Sequence, residues 1–483
     1  MHSMKDVRVQ IHGLMKFSPA LCALVVTSIL GGGCLRFQPA PLPADKTAAA
    51  FDARSLSDPG LKKFIETNLG REFPEWPSAK WDFETLTLAA FYFHPSLDVA
   101  RAQWNVAQAG IKTAGDRPNP TVSVTPGYSF NAASGTSPWF PAIAIDQPIE
   151  TAGKRGHRLS RANQLSEAAR LNIFTAAWQV RNNLRVALIN FSDALQRKAL
   201  LQAQLDAQEK LTASLEQRLK AGALSSYELT TAKIAREKIR LDLAEAARQV
   251  AENSGRVADA VGVPSGAFIS SVNFTWQVPA DTELATPELR RQALLGRADV
   301  RGALSEYAAS QSALELEIAK QWPDVHLGTG YQFDQGENKF SLGLSAEIPV
   351  FNQNKGPILE AKARREEAAA RFIALQAKVI GDIDRAVAGY RTAQARLATL
   401  QDLHASRMKQ RDALDAQVKA GAADRLDLLN LQVESALSEL IEWDGGIKAM
   451  LAFAQLEDAI QRPLDLPGRG QLQKKVRTET ESK

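Results

Sequence analysis

The chain has 483 residues, which is enough for two or three ordinary domains. Its 58 basic and 54 acidic residues leave a formal net charge of +4, and the two signs alternate along the presumed helices, which excludes a nucleic-acid partner. Both cysteines, Cys22 and Cys34, lie in the first 34 residues, so the rest of the chain has no possible disulfide and no thiolate metal site.

The N-terminal segment has the charge order of a secretory signal. Lys5, Arg8 and Lys16 precede an apolar run, Phe17 to Leu30, that is too short to span a bilayer. Residues 1–33 are therefore predicted to be a signal peptide, and the protein is predicted to be exported.

The end of this segment indicates a lipid anchor. The sequence Leu30-Gly-Gly-Gly-Cys34 resembles the bacterial lipoprotein signal, in which the cysteine is lipidated and becomes the mature N-terminus. The alternative is an ordinary signal peptide that is cleaved nearby, with Cys34 incidental. Three prolines between residues 39 and 43 predict an extended tether within an N-terminal periplasmic segment, residues 34–83.

Two very long helices are predicted from the positions of the prolines. None lies between Ile149 and Val263 or between Ile358 and Arg462, and a proline inside a helix costs about 3 kcal/mol. A helix from about Gly156 to Lys220 would be on the order of 100 Å long, which exceeds any globular core. Apolar residues follow the coiled-coil period near 3.5 in both stretches, namely Leu184, Leu188, Phe191, Leu195, Leu201, Leu205, Leu211, Leu215 and Leu219, and Ile380, Ile383, Val387, Tyr390, Leu397 and Leu400.

Each long helix is predicted to reverse at a glycine. The sequence Lys220-Ala-Gly-Ala returns as Lys419-Ala-Gly-Ala, and glycine can take the left-handed conformation that ends a helix. The alternative is a tolerated glycine in one continuous helix. The predicted reversal tips are Ala221, Gly222, Ala223, Leu224 and Ser225 in the first half, and Ala420, Gly421, Ala422, Ala423 and Asp424 in the second.

Between the helices, strict alternation predicts strands. From Phe340 to Val350 apolar residues alternate with small or polar ones, over the length that a tilted strand needs to cross a bilayer. Its partner runs from Asp324 to Phe333 through a hydrophilic turn, residues 334–338. The alternative is a soluble hairpin packed on the helices. The full set of predicted strands is 120–131, 139–149, 323–334 and 339–350, with Tyr128, Tyr331, Trp139 and Phe140 as a candidate interfacial aromatic belt.

These landmarks recur at an offset near two hundred residues, so the chain is an internal duplication. The first repeat is predicted at 84–286 and the second at 287–465, followed by a polar tail, residues 466–483. Four strands cannot close a barrel, and an unclosed sheet in lipid would leave backbone groups without hydrogen bonds. Several chains must therefore share one barrel, and a trimer would supply twelve strands.

This plan resembles the TolC family of outer-membrane efflux channels from about Leu86 to Pro463. The most specific residues are the two reversals, which are followed by Glu228-Leu229 and Asp427-Leu428. The resemblance implies an α+β membrane protein, internally duplicated, whose long coiled-coil helices form a periplasmic α-barrel. Its four strands per protomer would contribute to a trimeric 12-stranded outer-membrane β-barrel.

A second resemblance concerns the cargo and the partners. Gln147-Pro-Ile-Glu150 with Gly153-Lys-Arg155 resembles the CzcC-like branch, which is associated with export of divalent heavy-metal cations such as cobalt, zinc or cadmium. The resemblance implies a passive homotrimeric conduit in outer-membrane lipid. Its tips would dock on a periplasmic adaptor protein that connects to an inner-membrane pump of the RND type.

The resemblance also implies a candidate pore gate near the second tip. Asp427 matches an acid that narrows the pore in some members, but Asn430 stands where a second acid is expected, and Ala423 where an arginine can occur. Three copies of Asp427 facing the axis would attract cations. The alternative places this acid on an outward face of the tip.

The sequence lacks the residues that other classes of function require. The six histidines have no ligand spacing, and no catalytic or phosphate-binding motif occurs, so no enzyme, metal site or cofactor is predicted. A channel for drugs or other small organic molecules remains the first alternative. A soluble coiled-coil scaffold, or the adaptor itself, is the second, although it leaves the alternating strands unexplained.

Overall fold

The computed structural model describes residues 37–77, 81–267 and 286–464. The predicted signal peptide, Cys34 and the polar tail lie outside these residues. The chain divides into two compact units, residues 1–53 and 54–483. The described part of the first unit, residues 37–53, contains one short exposed helix, α1 (Ala44–Asp52), directly after the prolines of the predicted tether.

The second unit repeats one order of elements: two helices, two strands, a very long helix and a shorter one. The first copy is α3 (Phe83–Phe93), α4 (Pro95–Gly115), β1 (Thr121–Thr125), β2 (Ala142–Ile149), α5 (Lys154–Lys220) and α6 (Ser226–Val261), preceded by α2 (Pro59–Leu69). The second copy is α7 (Thr286–Gly296), α8 (Ala298–Ala319), β3 (Val325–Asp334), β4 (Glu337–Ala346), α9 (Lys355–Lys419) and α10 (Arg425–Ile460).

The long helices α5 and α9 have 67 and 65 residues, so each is about 100 Å long at 1.5 Å per residue. Most of the predicted apolar stripe is buried, but Leu195 is 42% exposed while its neighbour Ala194 is buried. In α9, Val379 is buried in place of Ile380. The stripe drifts because a straight helix has 3.6 residues per turn, whereas the apolar residues recur every 3.5.

The four strands form one antiparallel sheet in the order β1-β2-β3-β4. The central pair, β2 with β3, joins the two repeats, with Ile149 opposite Val325 at one end and Ala142 opposite Gln332 at the other. The sheet is therefore a single structure shared by both copies, rather than two separate hairpins.

All four strands differ from their predicted bounds, with a proline close to an altered end of each. Strand β3 begins at Val325 instead of 323, just after Pro323. Strand β1 stops before Pro126, although Tyr128 and Trp139 make one further bridge. Strand β2 begins after Pro141. Strand β4 ends at Ala346 instead of Val350, opposite Val325, the first residue of β3, and Pro349 beyond this end has no N–H to donate to a neighbouring strand.

The turn between β3 and β4 is also shorter than predicted. Gln335 and Gly336 alone connect the strands, with φ of 50° and 90°, as a two-residue hairpin turn requires. Asp334 pairs directly with Glu337, so the predicted five-residue loop is wrong.

The two repeats are also joined by polar contacts between α5 and α10. The indole Nε1 of Trp178 donates to Asp458 Oδ1 at 2.9 Å, and that of Trp443 donates to Asp193 Oδ1 at 2.9 Å. Between these contacts Arg185 pairs with Glu457, and both side chains are fully buried.

The Arg185–Glu457 pair sits among aromatic rings. The guanidinium carbon lies 5.7 Å from the ring centre of Phe83 and 5.4 Å from that of Phe453. Glu457 Oε1 also accepts a hydrogen bond from the Leu464 N–H at 2.6 Å. A buried ion pair of this kind depends on both partners, because each charge has lost its water.

His94 has a structural place in this fold, as its position before a proline suggests. Its ring nitrogen Nδ1 accepts a hydrogen bond from the Ser96 N–H at 3.3 Å and so caps helix α4. Burial, and then the nearby charge of Arg54, lower the pKa of His94. The neutral ring is the form that can accept this hydrogen bond.

Candidate functional site: the reversal tips and the sheet

The first tip is a helix end closed by Gly222. Its φ of 73° lets the Ala223 N–H donate to the Arg218 carbonyl at 2.9 Å and its own N–H donate to the Leu219 carbonyl at 3.0 Å. These are the two hydrogen bonds of a Schellman motif. No neighbouring atom lies within 4 Å of a Cβ added at Gly222, so only its backbone conformation requires glycine there.

The second tip repeats this geometry. Gly421 has φ of 76°, and the Ala422 N–H donates to the Gln417 carbonyl at 2.9 Å. Asp424 then caps α10, because its Oδ1 accepts from the Leu426 N–H at 3.0 Å. Ser225 precedes α6 in the same way but makes no side-chain capping bond.

The two tips of one chain share an apolar cluster. Its buried members come from α5, α6 and α10, so the first and second reversals pack as one unit. The buried side chains are Leu211, Leu215, Leu229, Ala232 and Leu429, and the half-buried ones include Leu219, Leu224, Leu426 and Val433.

An ion pair at the surface of this cluster links the tips. Arg218 Nη2 contacts Asp424 Oδ1 at 2.5 Å and Oδ2 at 2.7 Å. The hydrogen bond from Arg218 is the main cause of the lowered pKa of Asp424. Ala423 stands where an arginine can occur in some members of the family. The arginine that meets the second tip belongs instead to the first hairpin, 206 residues earlier in the chain.

The candidate gate residues Asp427 and Asn430 lie in the first turns of α10, and both are exposed in the isolated chain. The charge of Asp427 contributes to the raised pKa of Arg218, so this acid lies near the link between the tips. A role for Asp427 or Asn430 in gating stays a prediction.

Replacing Arg218 with glutamine is expected to loosen both tips at neutral pH. Because the pKa of Asp424 is lowered, the link stabilises the tips above the ordinary aspartate value of 3.8 and is lost as the pH falls through the lowered value. Hydrogen–deuterium exchange of tip peptides at pH 7 should be faster in Arg218→Gln and in Asp424→Asn, which retains a capping residue.

The double variant should exchange no faster than the faster single variant, since one contact is lost in each case. Arg240→Gln is the matched control, because it removes a pair with Glu209 at 2.9 Å within the first hairpin. Equal exchange in the wild type and the Arg218 variant would contradict the link.

At the other end of α5, the Gly153-Lys-Arg155 motif lies at the junction between the sheet and the helices. Lys154, which is 7% exposed, donates to the Trp322 carbonyl and to Asp324 Oδ1, both at 2.7 Å. The Thr151 N–H donates to the same Asp324 oxygen at 2.9 Å. Lys154 therefore joins the start of α5 in the first repeat to the segment before β3 in the second.

The neighbouring residues of the motif serve the same junction within the first repeat. Arg158 pairs with Glu150, and Arg155 Nε donates to the Gly115 carbonyl at 2.6 Å. Gln147 Nε2 donates to the Pro118 carbonyl at 3.2 Å. The residues that suggest the CzcC-like branch thus fix how the strands leave the helices.

The two faces of the sheet differ in chemistry. Directly opposite residues share a face, so Leu327 with Leu344, Thr329 with Leu342 and Tyr331 with Phe340 form one side. On β4 this side is wholly exposed, with Phe340, Leu342 and Leu344 each about 70% accessible. The opposite side carries small and polar residues, namely Ser123, Ala144, Asp146, His326, Gly328, Gly330, Ser341, Gly343 and Ser345.

Within residues 37–77, 81–267 and 286–464, no group of three or more His, Cys, Asp and Glu side chains could hold a metal ion. Across that same part of the chain, no helix is long and apolar enough to cross a membrane.

A duplicated chain with two reversed helix pairs and one shared sheet has the architecture of a TolC-like outer-membrane channel. The chain belongs to the outer membrane efflux protein family, which matches residues 92–263 and 289–449. It is an efflux channel of this type, and the resemblance seen in the sequence is confirmed.

Among characterised proteins, the chain is 22% identical over 369 residues to the cobalt-zinc-cadmium resistance protein CzcC of Cupriavidus metallidurans, covering 76% of this chain and 86% of that protein. It is 26% identical over 304 residues to the nickel and cobalt resistance protein CnrC of the same organism, covering 62% and 71%. The solved outer-membrane channel OprN superposes with a TM-score of 0.66 at 17% identity, covering 89% of this chain and 99% of OprN.

Proposed function

We propose that this protein is a passive homotrimeric conduit that carries divalent heavy-metal cations across the outer membrane. The observation that supports this most is the two-faced sheet, which has an exposed apolar side and a small, polar side. It is joined to helices about 100 Å long that end in exposed reversals. The sheet is suited to contact with lipid. The reversals, at the far ends of the long helices, are suited to docking on a partner outside the membrane.

Closure of the sheet requires other copies of the chain. Strands β1 and β4 are its two edges, and an edge in hydrocarbon would leave backbone groups without partners. Three chains in a ring pair each β1 with a neighbour's β4, and the apolar side then faces lipid. Tyr128 packs edge-to-face against Trp139, with ring centres 5.0 Å apart, at the loop end of the sheet, where an interfacial aromatic belt belongs.

The cargo is inferred from similarity to proteins that confer resistance to cobalt, zinc, cadmium and nickel. The partners are inferred from the family: a periplasmic adaptor at the tips, residues 221–225 and 420–424, and an RND-type inner-membrane pump behind it. Lipidation of Cys34 would add an anchor at the same membrane.

Deletion of the gene tests the function. Cells without the protein should become sensitive to cobalt, zinc or cadmium salts, with growth restored by the intact chain and with unchanged tolerance to organic drugs. Sensitivity to drugs alone would favour the organic-molecule alternative. Recovery of the protein in the soluble periplasmic fraction would overturn the conduit and favour a scaffold.

A further inference from the structure

One polar pair on the sheet has no part in the junction or the tips. His326 on β3 and Asp146 on β2 contact each other through Nδ1 and Oδ2 at 2.8 Å. Both residues lie on the small, polar side of the sheet, and their side chains are 40% and 42% exposed. In a closed ring of the proposed kind, this side faces the water-filled lumen.

The contact leaves one ring nitrogen available. A neutral imidazole that donates its Nδ1–H to a carboxylate carries its free lone pair on Nε2. Metal-binding histidines in proteins are commonly held in this way, because the carboxylate fixes the ring orientation and makes the other nitrogen a better ligand.

The strand positions that surround the ring on this face carry short side chains. The residues directly opposite His326 are Ser345 on β4 and Pro148 on β2. A Cβ added at the neighbouring Gly328 would meet only the Gly343 carbonyl, at 3.7 Å. A hydrated cation can therefore approach without displacing a large side chain.

Lys154 and Lys339 do not oppose the approach of a cation to His326. Asp324 is held by Lys154, and the other lysine on this side, Lys339, is paired with Asp334 at 2.7 Å near the hairpin turn. Both lysines are thus paired with a carboxylate.

We propose that His326 is a transient ligand for divalent transition-metal ions in the lumen, bound through Nε2, with Asp146 as its positioning residue. This site rests on the proposed function for its cargo and for the direction in which the sheet faces. One imidazole plus water binds weakly, and weak binding suits a conduit, which must release what it takes up. Imidazole also favours cobalt, nickel and zinc over magnesium, which prefers oxygen ligands.

The other described histidines provide internal comparisons. The Nδ1 atoms of His94 and His157 contact Ser96 at 2.8 Å and Glu315 at 3.2 Å. The Nε2 edge of His157 lies against Gly153, only 3.7 Å from where a Cβ of that residue would stand. His404 lies between two helices and is only 20% exposed. The rings of His157 and His404 therefore lack the open approach of His326.

The test is chemical footprinting of the full-chain protein, purified and reconstituted in lipid. Diethyl pyrocarbonate modifies accessible neutral imidazoles, and mass spectrometry gives the rate at each histidine. Millimolar cobalt ions should slow modification of His326 more than that of His94 and His157, whereas equimolar magnesium ions should not. Asp146→Ala should raise the cobalt concentration for half protection by about 10-fold, the usual loss when a positioning carboxylate is removed.

A gain-of-binding variant makes the test independent of loss of folding. Ser345 stands directly opposite His326, so Ser345→His places two imidazoles side by side on adjacent strands. Half protection should then shift to a lower cobalt concentration by about 100-fold, since the second ligand binds intramolecularly. Lys339→Ala, which removes the other ion pair on this side, should leave the wild-type value unchanged.

Absence of cobalt protection at His326, or equal protection of every histidine, would overturn the proposal. An unchanged value in Asp146→Ala would remove the positioning role. Protection at His326 in a protein whose deletion leaves metal tolerance intact would retain the site and refute the cargo, so the two proposals fail separately.

Discussion

Replacing Glu457 with alanine is expected to lower the free energy of unfolding by about 3–5 kcal/mol, the usual cost of removing one partner of a buried ion pair. The variant leaves the fully buried guanidinium of Arg185 without its carboxylate, and the Leu464 N–H without its acceptor. Since this pair joins α5 to α10, the loss should weaken the contact between repeats. Thermal and denaturant unfolding of the detergent-solubilised protein measure this change in the free energy of unfolding.

Two comparisons isolate the effect. Glu442→Ala removes the same chemical group from the same helix, at a site where the carboxylate is 28% exposed and lies 3.8 Å from His404; its cost should be below about 1 kcal/mol. The double variant Arg185→Met with Glu457→Leu should recover most of the lost stability, because apolar replacements remove both buried charges. A loss in Glu457→Ala no larger than in Glu442→Ala would contradict the buried pair.

The second large effect is expected at the tips. Gly222→Val together with Gly421→Val should abolish metal resistance while the protein remains in the outer membrane. Both glycines have φ near +75°, where a side chain costs about 1–2 kcal/mol and a β-branched one is a clear outlier. Neither site has an atom that a Cβ would strike, so the change acts on the reversal alone. Growth on metal salts and cross-linking to the adaptor are the measurements.

Gly389→Val is the matched control. Gly389 lies inside helix α9, exposed and with no atom within 4 Å of an added Cβ, but with ordinary helical backbone. Resistance and cross-linking should stay at the wild-type level in this variant. Full resistance in the double tip variant would show that docking does not depend on the reversal geometry.

Local chemistry in the sequence predicted the long elements well. The proline-free lengths of α5 and of α9 after Pro357 in its first turn, and the glycine after each helix, are properties of single residues, so the helices and their reversals could be inferred without neighbours. The strand ends were less accurate. The alternation beyond Ala346 suggested further pairing, but a side-chain pattern does not report that Pro349 lacks a donor for the ladder.

The polar contacts between repeats were not predicted. Arg218 meets Asp424, His326 meets Asp146, and each pair is more than 170 residues apart in the chain. From the pattern of its own segment alone, each of these side chains would be predicted to be an ordinary solvent-exposed residue. Only the packing of one repeat on the other brings the partners within hydrogen-bond distance.

The sequence by itself determined that this protein is a duplicated chain of long helices, glycine reversals and alternating strands, because these depend on backbone conformation and short-range periodicity. The tertiary structure decided that both hairpins form one sheet and that both tips form one cluster. It also decided which charges are buried, because the loss of water around Arg185 and Glu457 occurs only when α5 and α10 pack together.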